Sequence, residues 1–238
     1  MRNVGKVSAG QSFSWLAPQG LAPALARTLA RMLLRAGLRR LGCCPSWRCL
    51  SSVPRRGELR TVREVVDAHA QKGKRCTPVD LRSSWNTLGK LVRQQSEKRV
   101  LRGAPEMLHP LAADTEQALP KFDARSLATT VNGLAKLHAS RGWRASDALW
   151  AGLATHCTTC APTMNAHDVA NTVHGFAKVG RRAPALLDAI ATEAAQRGLR
   201  DFKPQELSNT AWAYATAGHA APALLDAIAT EAAQRGLR

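Results

Sequence analysis

The chain has 238 residues, 45% of them hydrophobic, enough for one elongated domain or two small ones. Its 34 Lys and Arg against 17 Asp and Glu give a formal charge of +17, which points to a polyanion, a membrane surface or an import signal. The longest uncharged stretch, Val7 to Ala26, is interrupted by Gly10, Pro18, Gly20 and Pro23, so no membrane insertion is expected, and six cysteines without framework spacing argue against a disulfide-stapled secreted domain.

Residues 1 to 50 carry eight of the 34 basic residues and none of the 17 acidic ones, so the remainder keeps a net of +9. Between Leu21 and Leu41, Arg27, Arg31, Arg35 and Arg39 recur every four residues, while Leu29, Leu33, Leu34 and Leu38 fill another sector. This is an amphipathic helix with one cationic face, the build of an organelle transit peptide. Arg48 shortly before Ser51 and Ser52 predicts cleavage near Leu50. The address reads as mitochondrial, with the chloroplast as the alternative. A retained surface helix or an interrupted secretory signal would share the pattern.

Residues 51 to 75 read as a linker and an N-terminal capping helix over Thr61 to Lys72. Beyond them the chain repeats itself. Residues 183 to 200, APALLDAIATEAAQRGLR, recur letter for letter at 221 to 238, an offset of 38. A period of this size means stacked helical units. The segment that starts at Phe202 has weaker copies starting at Met164, Phe122 and Cys76, which divides the chain into four repeats of about 76–121, 122–163, 164–201 and 202–238.

Each repeat opens with an apolar residue, then often a capping residue (Thr77, Asp123, Asn165), with Pro78 and Pro204 at the first helical position in two. Apolar residues then recur at a spacing of seven and three: Leu81, Leu88 and Leu91; Leu127, Leu134 and Leu137; Val169, Phe176 and Val179; Leu207, Tyr214 and Ala217. Gly180 and Gly218 end this helix A, and Pro184 and Pro222 start a helix B. In the first two repeats helix B is expected within Ala104 to Ala118 and Arg144 to Cys157, the latter carrying Trp143 and Trp150 as core residues. The fold expected is an all-α solenoid of helix-turn-helix units. The array ends without a polar cap, as if cut short.

The segments LSNTAWAYATAG (207–218), VANTVHGFAKVG (169–180) and LATTVNGLAKL (127–137) resemble the helix A signature of octotricopeptide-type and heptatricopeptide-type repeats. Those repeats occur in organellar proteins of the RAP-domain, FAST-kinase-like group. The resemblance covers about residues 76 to 238 and implies an organellar protein that binds single-stranded RNA in processing, stability or translation, in some cases beside the ribosome or other RNA-processing proteins. It implies no catalysis and no cofactor, since the nuclease-like RAP domain of that group does not follow the repeats here.

Helix A carries a polar stripe at increments of four, three and four: Val79, Ser83, Asn86 and Lys90; Arg125, Thr129, Asn132 and Lys136; His167, Asn171, His174 and Lys178; Gln205, Asn209, Trp212 and Thr216. Asn86, Asn132, His174 and Trp212 can hydrogen-bond or stack on bases, and Lys90, Lys136, Lys178 and Arg125 suit phosphates. A merely solvated helix face has the same look. Asn171 and Asn209 are expected to bond between neighbouring helices. The Cys157 to Cys160 CxxC lacks a second pair for zinc, and the histidines and carboxylates form no acid-base arrangement in the sequence. The alternative to RNA binding is a protein-protein interaction scaffold built on the same repeats.

Overall fold

The computed structural model describes residues 59–236, and every regular element among them is helical. The chain is all-α. The segment read as a transit peptide, with its expected cleavage near Leu50, lies outside the described residues. Ten α-helices follow one another: α1 Val62–Lys72, α2 Pro78–Leu91, α3 Gln95–Gly103, α4 His109–Ala118, α5 Ala124–Ala139, α6 Asp147–Cys160, α7 Ala166–Val179, α8 Pro184–Arg197, α9 Pro204–Ala217 and α10 Pro222–Gln234. None of them is long and apolar enough to cross a membrane.

Local chemistry sets the ends of these helices. Thr77, Asp123 and Asn165 each accept a hydrogen bond from the third amide of the helix that follows, and the Asp80 carboxylate in turn accepts from the Thr77 amide. Pro204 replaces such a cap in α9, where the Glu206 carboxylate accepts from the Lys203 amide at 2.9 Å. Gly180 and Gly218 close α7 and α9 at φ 73° and 64°, a left-handed conformation that glycine adopts without steric cost.

Packing places α2, α5, α7 and α9 side by side, each on the next, and α4, α6, α8 and α10 in the same order behind them. The apolar residues that recur at spacings of seven and three face the seam: Leu81, Leu88, Leu127, Leu134, Val169, Phe176, Leu207 and Tyr214 are all buried. Tyr214 donates its hydroxyl proton to the Leu187 carbonyl at 2.7 Å, tying α9 to α8. The front helices come close together. A Cβ on Gly133 of α5 would lie 2.5 Å from the Trp85 carbonyl oxygen of α2, so only glycine fits there.

Identical residues of the duplicated segment do the same work twice. Arg197 reaches back to the Pro162 carbonyl at 3.5 Å, and Arg235, its copy, binds the carbonyls of Leu199 and Arg200 at 3.1 and 2.6 Å. In each case a guanidinium at the end of α8 or α10 is tied to the connector that leads into α7 or α9.

Three expectations need correction. Helix α3 was not expected; it lies between α2 and α4, and its buried Glu97 accepts from the Val62 amide at 2.7 Å, capping α1 from across the chain. The second helix B starts inside the expected Arg144 to Cys157, at Asp147, where the Ser146 hydroxyl caps it by accepting from the Leu149 amide, but it runs past Cys157 to Cys160. Trp143 is therefore in the connector, although buried, and stacks on Trp85 with ring centroids 5.4 Å apart.

Candidate functional site

The polar stripe lies along α2, α5, α7 and α9, which pack consecutively, so its columns cross the molecule from helix to helix. Asn86, Asn132, His174 and Trp212 are all half-buried, at the edge of the seam rather than out in solvent. Two successive members of this column meet: the His174 and Trp212 rings have centroids 5.0 Å apart. One side of the Trp212 indole is thus already covered by a protein ring. Burial, followed by the charges of Lys178 and Lys136, pulls the His174 imidazole below its ordinary range, which favours the neutral ring.

One turn further along, the lysines form a ridge. Lys90 and Lys178 are exposed, while Lys136 between them is half-buried, with its stem crossing the α2 backbone over Gly89. Burial, then the neighbouring charges of Arg93, Lys178 and Lys90, pulls the Lys136 ammonium below the ordinary lysine range. Four cations therefore share one small region and repel one another. Arg93, which follows α2, belongs to this ridge but escaped the sequence reading because it stands outside the repeating columns.

Towards the other end of the same helices a groove of about 420 Å³ opens between α2, α5 and α7, lined by Asn86, Arg125, Thr129, Asn132, Asn165, His167, Asp168 and Asn171. Arg125 belongs here, not with the lysines: eleven residues separate it from Lys136, about 16 Å along the helix. Asp168 is only 4% exposed. Burial pushes its carboxyl above the usual range, against the opposing pull of the Asn165 backbone contact, His167 and Arg125. The groove thus presents amides that both donate and accept, a guanidinium that donates and a carboxylate that accepts.

Asn171 and Asn209 do not bond between helices as expected. Asn171 donates to His167 Nε2 at 2.9 Å, and Gln205 donates to Asn209 Oδ1 at 2.9 Å, each within its own helix at a spacing of four. A side-chain hydrogen bond that does cross from α7 to α9 is His167 Nδ1 to Glu206 Oε1 at 3.3 Å. With its proton on Nδ1, His167 donates to Glu206 and accepts from Asn171, so one tautomer serves both. That hydrogen bond joins His167 of the first column to Glu206, which stands outside the columns, and neither second-column asparagine takes part in it.

Among the described residues no group of three or more His, Cys, Asp and Glu is arranged to hold a metal ion. Cys157 is buried in the core, its thiol pushed up by desolvation, and Cys160 is half-buried at the end of α6. Neither a protein-family model nor a curated protein matches the chain.

Proposed function

We propose that this chain is an RNA-binding α-solenoid of four helix-turn-helix repeats that holds single-stranded organellar RNA along its front row of helices. The reading makes it a non-catalytic factor in RNA processing, stability or translation, delivered to the mitochondrion, or to the chloroplast, by residues 1 to 50. The observation that carries it is the cationic ridge. Lys90, Arg93, Lys136 and Lys178 lie close enough together that, after burial, the charges of the other three add to what pulls the Lys136 ammonium below its ordinary range. An anion that spans them relieves that repulsion, and a phosphodiester backbone is such an anion.

The half-buried column beside the ridge supplies the other part of a reader of single strands. Asn86 and Asn132 present amides, and His174 and Trp212 present rings on which a base can stack. Helical-repeat readers divide the task in this way, with side chains of successive units against successive bases and cations against the backbone. Arg125, in the polar groove, is better placed to donate to a base edge than to a phosphate.

Ultraviolet crosslinking of the organelle-resident protein tests the reading. RNA attached to peptides of α5, α7 and α9 supports it. Crosslinks to protein partners alone, with no RNA recovered, would replace it with the interaction-scaffold alternative.

A further inference from the structure

Away from the ridge, the fold brings Asp114 of α4 to a pair of residues, His69 and Cys76, that stand seven apart in the sequence. Cys76 Sγ lies 3.3 Å from His69 Nδ1, and His69 Nε2 lies 3.1 Å from Asp114 Oδ2. His69 sits in the last turn of α1 and is almost fully buried, Asp114 stands half-exposed on α4, and Cys76 is half-buried in the connector between α1 and α2. The order is nucleophile, base and orienting carboxylate. Asp114 accepts the Nε2 proton, which leaves Nδ1 free to accept from the thiol. This corrects the expectation that the histidines and carboxylates form no such arrangement.

Half-buried Cys76 borders a hollow of about 290 Å³ lined also by Gly73, Leu81, Asp114, Gln117 and Lys121. The chemistry open to it is narrowed by the neighbouring amides. An acyl transfer builds an oxyanion that needs amide donors beside the sulfur. Here the Cys76 amide donates to the Gly73 carbonyl and the Thr77 amide to Asp80, both at 3.0 Å. Thiol-disulfide exchange builds no oxyanion and needs only a deprotonated sulfur with access to its target.

We infer that Cys76, with His69 as base and Asp114 holding the imidazole, is a site of thiol-disulfide exchange with small-molecule disulfides. In the reaction the Cys76 proton passes to His69 Nδ1, and the sulfur attacks one sulfur of the disulfide. The new S–S bond forms as the old one breaks, and the departing thiolate takes the proton back from His69. Cys76 is oxidised to a mixed disulfide and one half of the small disulfide is reduced to its thiol, so atoms and electrons balance. The charged groups facing the sulfur are Asp80, Asp114 and Lys72 beside His69, with Lys121 across the hollow. Burial, then Asp80, with a smaller push from Asp114 and against the pull of Lys72, raises the thiol above its ordinary range. Proton removal is therefore the step that His69 supplies, in place of a standing thiolate.

The test is peptide mapping of the full chain after brief exposure to oxidised glutathione. Cys160 is the internal control, because it is half-buried with its thiol also raised by burial, and it has no imidazole on its sulfur among the described residues. Cys76 should form the mixed disulfide about tenfold or more faster than Cys160. His69→Gln should remove that advantage and Asp114→Asn reduce it, with Cys160 unchanged. If His69→Gln does not fold, the parent's pH profile decides. Base assistance keeps the Cys76 rate nearly flat from about pH 7 to 9, whereas an unassisted thiol gains about tenfold per pH unit. Equal rates at the two cysteines, or a Cys76 profile as steep as that of Cys160, would overturn the inference.

Discussion

At the scale of single residues, the half-buried column and the ridge make separable contributions. Replacing Asn132, His174 or Trp212 by Ala should change which RNA is preferred and leave the salt dependence alone. Loss of stacking at Trp212 should cost about 1–3 kcal/mol in binding. Because the His174 ring already lies against Trp212, His174→Ala should also weaken binding at the neighbouring position, and a double-mutant cycle in a filter-binding assay would show the coupling. The columns were legible in the sequence because the repeats align them against one another. Arg93 and Asp168 were not: Arg93 has no counterpart in the columns, and Asp168 reads as one more acid in a first helical turn until the groove around it is seen. The triad of His69, Cys76 and Asp114 depends on packing between α1 and α4, for which no sequence pattern stands as a signal.

At the scale of elements, the N-terminus of α2 gives a pH test. Hydrogen bonds from Lys72 first, then from Thr77, hold the Asp80 carboxyl at about 2, below its ordinary 3.8. A depressed acid adds stability that is present above its unfolded value and lost as pH falls through the folded one. Between about pH 5 and 2 the parent should therefore lose about 1–2 kcal/mol more than Asp80→Asn, after allowance for partial exposure of the pair. Acid titration of the urea midpoint measures this. Gly133→Ala should cost about 1–3 kcal/mol on the same assay, because the added methyl meets the Trp85 carbonyl and forces α2 and α5 apart. Caps, prolines and terminal glycines were readable in advance because their chemistry is local. Helix α3 was missed because its hold on the fold is remote: Glu97 reaches an amide 35 residues earlier, and no proline or glycine marks the entry to Gln95.

For the whole molecule, the all-helical class followed from an unbroken series of helix signals and a repeated segment with no competing strand pattern. How the two rows of helices turn what each repeat offers into one surface depends on close approaches such as that of α2 and α5 at Gly133, which composition alone does not reveal. The central claim is that this surface neutralises phosphates, and the salt dependence of RNA binding tests it most directly. The account predicts that the logarithm of the full chain's affinity for single-stranded RNA falls linearly with the logarithm of salt concentration. Each Ala replacement at Lys90, Lys136 or Lys178 should reduce that slope by about 0.7 and weaken binding to every sequence alike. No salt-dependent affinity for RNA in the parent, or a slope unmoved by all three replacements, would contradict it.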